Sequence, residues 1–464
     1  MAFSRRREVG LLVLVFAILA VGYFVVWQKY LAVWPHIAGF DAHLLIIVPA
    51  SMGVAWLLLS WALTARRCRE TLVIPIVALL IGLSLLFLLR LAGGEEVMGL
   101  QRNHPDLGAK FFSLFKHQFY AFWLGWAVLM GMVLCWKDYR ALARYKYLLA
   151  AIAVVMLVVT TAVGKATNDQ TITLHLGPIV FQPHDPVKLL MVIFLAAYLV
   201  EKRELITHAA GRYGLLTLMD LRYMGPLLAL WLMVMAIVFI HKDLGAAALL
   251  FGSFLATLYL GTGRKNYVFI GIALFAVGMV LAYMKVERVQ TRVAIWQNPW
   301  RQYTAIEHGK PVQIDLPNGK GYQICQALMA LGNGRVIGAG LAGGYPESIP
   351  AVETDMIYAA ISEDLGLLGA VVLVGLFLVL IARMFRVALQ TEDPFGQLLV
   401  AGLAATMAVQ TFVILGGTVK LIPLTGVPLP FMSYGGTSLV INCALLGIVL
   451  KVGEDSKAQI AHTS

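Results

Sequence analysis

Residues 286–323 read VERVQTRVAIWQNPWRQYTAIEHGKPVQIDLPNGKGYQ. They open a polar stretch, 286–355, crowded with Gly, Pro, Asn, Gln and acidic residues, and the sequence on both sides of it is oily. A polar segment of that length between apolar runs is too large for a simple turn, and it is where chemistry is to be sought. A second polar interruption, KLIPLTGVPLPFMSYGGTS at 420–438, precedes the last apolar run.

The flanks fix the class. The chain is 60% hydrophobic and 13% charged, with a mean hydropathy of +0.81, whereas soluble domains carry roughly a quarter charged residues. About twelve apolar runs approach the ~20 residues that cross a ~30 Å hydrocarbon core as a helix. They lie near 9–27, 44–63, 72–92, 119–136, 147–164, 186–201, 225–241, 244–262, 266–285, 357–382, 397–417 and 434–452. The expected fold is an all-α integral membrane protein with a large extracytoplasmic loop at 286–355.

The basic residues orient it. With the N-terminus inside, 20 of the 36 Lys and Arg residues fall in the inner segments, among them Arg5, Arg6, Arg7, Lys137, Arg140, Arg264, Lys265, Arg383 and Arg386. Short cytoplasmic loops are enriched in positive charge, so both termini are expected in the cytoplasm. The net charge of +11 then follows from topology, with anionic membrane lipids as counter-charge and no call for nucleic acid. The first apolar run follows Arg5–Arg7 without a small-residue cleavage site and reads as an uncleaved anchor. Of four cysteines, Cys68 falls in an inner loop, Cys135 and Cys443 in spans and Cys325 outside, which gives neither a disulfide framework nor a zinc set. There is no Walker loop and no dinucleotide fingerprint, hence no organic cofactor.

Some polar residues sit where the membrane makes them costly. Lys188, in FQPHDPVKLLMVIFLAAYL at 181–199, is open to three readings: snorkelling, an ion pair with Asp185, or binding an anionic headgroup. Asp243, ahead of an apolar run, suits a helix N-cap. The segment 423–438 packs three prolines and three glycines into sixteen residues, so it is not continuous helix and is expected to line a cavity. In GYQICQALMALGNG, 321–334, Gln323, Gln326 and Ala330 fall on one side of a helix and Ile324, Leu328 and Leu331 on the other, an amphipathic pattern suited to the interface.

Three segments taken together resemble the SEDS family (shape, elongation, division and sporulation) of RodA and FtsW proteins. They are 181–199, 420–438 and NPW at 298–300 followed by GYQICQALMALGNGRVIGAGLAGGYPESIPAVETDMIYAAISEDLGLLG at 321–369. Their order and spacing match over about 72–452. The resemblance implies a ten-span core at 72–452, a two-span N-terminal addition at 1–71 and a short cytoplasmic tail at 453–464. It further implies a glycosyltransferase of the bacterial cytoplasmic membrane that polymerises lipid II into peptidoglycan in elongation, division or sporulation. A class B penicillin-binding protein, the cross-linking transpeptidase, is the implied partner.

The family's catalytic aspartate follows NPW closely. Here the place two residues after Trp300 holds Gln302, and the nearest acidic residue before Gly321 is Asp315. We read an insertion after Trp300 and carry the catalytic role to Asp315, with Glu307 as the alternative. Glu353 stands where the family commonly has histidine. Joining two lipid-linked saccharides needs a general base at the attacking hydroxyl and cations beside the leaving pyrophosphate. Lys188, Arg292 and Lys420 are the candidate cations. Gln323, Ser433, Tyr434, Gly435 and Gly436 complete the expected substrate contacts. A divalent cation, Mg²⁺ or Mn²⁺, is expected, with Asp315, Glu353 and Asp355 as candidate ligands. Glu363 and Asp364 suit a buried hydrogen-bond network. Two other classes compete: a lipid II flippase or other polytopic transporter, which needs no base, and a silent scaffold for a transpeptidase. Matching broken helices in two halves would favour a transporter, and the polar features here cluster in the second half alone.

Overall fold

A computed structural model describes residues 2–31, 41, 43–65, 72–93, 107–163, 165–167, 171–176, 179–202, 210–213, 216–219, 221–240, 243–307 and 310–463. Each of the twelve apolar runs falls on a helix. In chain order these are α1 (Ala2–Tyr30), α2 (Leu44–Ala65), α3 (Val73–Ala92), α4 (Leu107–Cys135), the one-turn α5 (Ala141–Arg144), α6 (Lys146–Val163), α7 (His184–Glu201), α8 (Leu221–Ile240), α9 (Leu244–Thr262) and α10 (Lys265–Lys285). The polar stretch contributes α11 (Glu287–Gln297) and α12 (Tyr322–Gly334), and α13 (Ile357–Gln390), α14 (Pro394–Thr418) and α15 (Gly436–Thr463) follow. Among the described residues nine helices are long and apolar enough to cross a membrane, and Lys146–Ala162 and Gly225–Ala236 are shorter apolar helices. The protein is an all-α membrane protein.

Small antiparallel sheets decorate the connections: β1 (Lys165–Thr167), β2 (Thr171–Leu176) and β3 (Ile179–Phe181), then the hairpin of β4 (Ala210–Tyr213) and β5 (Leu216–Met219). A further hairpin, β6 (Gln302–Glu307) and β7 (Lys310–Asp315), grows from the polar stretch. Cys68 lies outside the described residues.

The interior is a bundle in which α4 packs on α15, α13 on α14, α9 on α14, α7 on α6, and α1 on α3. Asp243 caps α9 by accepting from the Ala246 N–H at 3.0 Å, as its place before an apolar run suggests. The first two helices are built into this bundle: α1 packs on α3 and α2 on α4, and Trp126 Nε1 of α4 donates to Ala55 O of α2 at 3.0 Å.

Helix α13, at 34 residues, would measure about 51 Å if straight, well beyond a ~30 Å core. It breaks at Gly366, whose φ of 68° suits glycine. The break frees backbone groups, and the loop after α12 takes them up. Ala339 and Gly340 N–H donate to Glu363 O (2.9 Å) and Asp364 O (3.0 Å), while Leu367 and Leu368 N–H donate to Arg335 O (2.9 Å) and Val336 O (3.1 Å). The 286–356 stretch is thereby stitched to the first part of α13.

Arg90, buried on α3, locks that arrangement. Its Nε donates to Asp364 Oδ2 at 2.8 Å, and its other nitrogens bond Glu347 and Gly344 O. Asp364 also accepts from Ala342 N (3.1 Å) and Gly344 N (3.2 Å). A guanidinium fork suits such planar multivalent pairing. The expected buried network at Asp364 is therefore present, with Arg90 as its centre.

Candidate active site

A cleft opens among α11, α12 and the segment after α14, with a volume of about 780 Å³. Five basic side chains line it: Lys285, Arg288, Arg292, Lys320 and Lys420, facing the carboxylates of Glu287 and Asp355. Arg288 and Arg292 share one face of α11 because they are four residues apart on a helix. A cleft dominated by one sign of charge concentrates ligands of the other. This one selects anions.

The segment 419–435, between α14 and α15, is non-helical. Lys420 and Phe431 take φ of 61° and 62°, uncommon for residues with a side chain. Three contacts hold the backbone beside Asp355: Ser433 Oγ donates to Thr354 O, Thr418 Oγ1 to Asp355 O at 3.4 Å, and Tyr434 N–H to Glu353 O at 2.7 Å. Gln118 of α4 clasps the same segment, donating to Ser433 O (3.3 Å) and accepting from Gly435 N (3.2 Å).

Asp355 is the acidic residue most altered by this setting. Its Oδ1 accepts from Gln323 Nε2 at 3.2 Å, and the residue is only 9% exposed. Burial pushes its carboxyl up to about 6, because the charged form loses water. Burial likewise lowers Arg292, with Arg288 beside it adding to the effect.

Asp315 sits in a contrasting place. It ends β7, and the hairpin register pairs it with Gln302. Antiparallel pairing sets Asp315 directly across from Gln302, the residue two after Trp300. Asn318 Nδ2 donates to it at 2.7 Å and Gln302 Nε2 at 3.2 Å. These amides, Asn318 first, hold its carboxyl below the ordinary value, so it is ionised at neutral pH. Asp315 does not line the cleft, but the turn that follows it ends at Lys320, which does. The alternative, Glu307, is in β6 with its side chain outside the described residues.

Of the expected substrate residues, the structure brings Arg292, Gln323 and Lys420 to the cleft. Ser433, Tyr434, Gly435 and Gly436 do not line it; Ser433 and the Tyr434 and Gly435 backbones brace its acidic wall. Lys188 is 1% exposed and sits in the bundle, donating to Asp185 Oδ1 and Gln410 Oε1 at 2.8 Å each. Gln410 in turn donates to Pro428 O at 2.7 Å. Of the three readings of Lys188, the ion pair is the arrangement found, and its chain of bonds supports the 419–435 segment from within.

The candidate metal ligands stand apart in their contacts. Glu353 pairs with Lys110 at 3.3 Å, Asp355 with Gln323, and Asp315 with the hairpin amides. Among the described residues no three His, Cys, Asp or Glu side chains form a metal-binding group. Among the described residues these candidates therefore share no ligand set for a divalent ion.

Sequence reading missed Lys285, Arg288 and Lys320 as cleft cations, although Arg288 and Arg292 carry a legible four-residue spacing. Arg90, Gln118 and Gln410 carried no such signal, because their partners lie hundreds of residues away in the sequence.

A family model described as cell cycle protein, for FtsW, RodA and SpoVE, matches residues 70–458. The chain belongs to this family. RodA of Mycobacterium tuberculosis, named a peptidoglycan glycosyltransferase, is 37% identical over 435 residues, covering 90% of this chain and 88% of that one. The stage V sporulation protein E of Bacillus subtilis is 31% identical, covering 69% of this chain and 82% of that one. Among solved structures, a peptidoglycan synthase complex that coordinates polymerization and crosslinking matches with a TM-score of 0.59 at 24% identity, over 80% of this chain and 97% of that one. RodA of Thermus thermophilus matches at 0.54 and 24% identity, over 82% and 96%. These structures share the fold. The family model begins three residues before α3, and α1 and α2 lie outside its match.

Proposed function

We propose that this chain is a peptidoglycan glycosyltransferase that joins lipid II units at the outward face of the bacterial cytoplasmic membrane, with both termini cytoplasmic. The cleft with five basic side chains, formed on the polar stretch of a membrane protein of this family, carries the reading. The names of its RodA relatives support the same activity.

The chemistry follows from the charges. A sugar hydroxyl of one lipid-linked saccharide attacks the anomeric carbon of another, and the bond from that carbon to the phosphate oxygen breaks. The electron pair leaves on the pyrophosphate, where Arg288, Arg292, Lys320 and Lys420 meet the growing negative charge. The hydroxyl proton passes to Asp315, the ionised carboxylate at the end of β7. Asp355 and Gln323 hold the facing wall. Mg²⁺ or Mn²⁺ would arrive with the substrate's phosphates, and chelation in the assay tests that dependence.

The partner in this reading is a single-span class B penicillin-binding protein, and the match to a synthase complex supports it. The test supplies purified protein, with and without such a partner, with lipid II and follows glycan polymer on a gel. Polymer from the wild type and none from Asp315→Ala is the expected result. Wild type that makes no polymer even with the partner would leave the scaffold or transport readings standing.

A further inference from the structure

Helix α12 separates two cavities of opposite chemistry. Gln323 and Ile324 face the cationic cleft, while Tyr322, Gln326 and Asn333 line a second, open cavity of about 510 Å³ together with Tyr345, Ser348 and Glu363. That volume falls in the ~300–1,000 Å³ range of small-molecule sites. No Lys or Arg lines it.

Glu363 is the unusual member. It is 4% exposed, and the Tyr345 backbone and the Asn333 side chain bond its carboxylate. Its Oε2 nevertheless has no partner. A buried carboxylate oxygen left without a hydrogen bond is costly, and the neighbouring Asp364 shows the alternative, saturated by Arg90 and two backbone amides. Glu363 lines the cavity, so a donor seated there is the group placed to satisfy this acceptor. A phosphate brings none when ionised and would be repelled. A pyranose brings several hydroxyls, two tyrosines offer aromatic faces to its apolar face, and two amides can read an acetamido group.

We infer that this second cavity is a saccharide subsite, in which Glu363 Oε2 accepts a hydrogen bond from a sugar hydroxyl. The inference rests on the glycosyltransferase reading for which sugar it is, and it deepens that reading: α12 sorts the substrate, with pyrophosphate on the cationic side and sugar on the carboxylate side.

The test uses the full-length protein in detergent and a water-soluble probe, the N-acetylglucosaminyl-N-acetylmuramic acid disaccharide without lipid, phosphate or peptide. Saturation-transfer NMR titrations compare wild type, Glu363→Gln and Tyr345→Ala, with thermal unfolding as the control of fold. Tyr345 is exposed, so its variant keeps the measurement informative if Glu363→Gln unfolds. Loss of a hydrogen bond to a charged group weakens binding by about tenfold or more, and that loss is expected in Glu363→Gln, with a smaller one in Tyr345→Ala. Equal binding by wild type and folded variants would overturn the inference. So would Glu363-dependent binding of the free, amine-bearing stem peptide in place of the disaccharide. Disaccharide binding that depends on Glu363 in a protein that makes no polymer would uphold the subsite and sink the polymerase.

Discussion

The pH dependence of polymerisation separates the two aspartates. Asp355, with its carboxyl at about 6, is roughly 90% ionised at pH 7 and roughly 10% at pH 5, so a reaction using it as base slows about ninefold across that interval. Asp315 is held below its ordinary value of 3.8 and stays more than about 90% ionised at pH 5. With Asp315 as base, kcat at saturating lipid II stays within about twofold between pH 7 and pH 5. Replacing Asp315 by Asn removes the base and lowers kcat by roughly 10²–10⁴ at every pH in the range. Saturation matters, because protonating Asp355 removes a negative charge from the cationic cleft and so lowers KM for an anionic substrate as pH falls through 6. The assay is the initial rate of fluorescent lipid II consumption in detergent, with thermal unfolding run at each pH. A ninefold fall in kcat towards pH 5, with a loss of roughly 10²–10⁴ at pH 7 in Asp355→Asn and none in Asp315→Asn, would refute the assignment and move the base to Asp355.

Four further outcomes follow. Asp355→Asn stabilises the protein at pH 7.5 by about 3 kcal/mol, from the rise of 3.8 to about 6 at 1.36 kcal/mol per pKa unit. The folded pKa lies above the unfolded one, so the penalty grows as pH rises from about 4 to 6, stays above 6, and the variant's advantage vanishes below about pH 4 in thermal unfolding. Arg90→Met strands the buried carboxylates of Asp364 and Glu347 and costs about 3–5 kcal/mol, read as loss of a monodisperse peak in size exclusion, with Arg90→Lys intermediate. Lys188→Met destabilises more than the double change Asp185→Asn with Lys188→Met, since the single variant leaves a buried charge unpaired; a double-mutant cycle of melting temperatures checks it. Excising 303–314 and joining Gln302 to Asp315 retains polymerisation within about threefold, since a base outside the excised segment keeps its place; loss of polymer would shift the role to Glu307.

The helices were legible because hydrocarbon admits few solutions: each of the twelve apolar runs is a helix, since an unpaired backbone group in lipid is costly. The break in α13 was not legible, as SEDLGLLG reads as uninterrupted helix until residues 335–340 supply bonds for Gly366's departure. The β6–β7 hairpin was hidden for a related reason. Its strands are short, and their register comes from closing the insertion, not from an alternating apolar pattern. At the site, Arg292, Gln323 and Lys420 could be read from charge and position, whereas Ser433 and Tyr434, expected to meet the substrate, bond the backbone of Thr354 and Glu353 beside Asp355. Arg90 lies inside an apolar run, and only the fold supplies its two carboxylates.

Asp315 and Asp355 are held in place by different means. Residues 303–314 add length between Trp300 and Asp315 without separating them, because antiparallel pairing brings Gln302 and Asp315 side by side. The cost of closing such a loop grows only slowly with its length, so a carboxylate at the foot of a hairpin tolerates additions at the tip. Asp355 has no such freedom. It is fixed by Gln323 from α12, by Thr418 from α14 and, through Thr354, by Ser433, and its burial raises the cost of its charge. On the proposed reading, the pyrophosphate would meet charges held in fixed places, while Asp315, the proposed proton acceptor, stands at the foot of a hairpin whose length can vary.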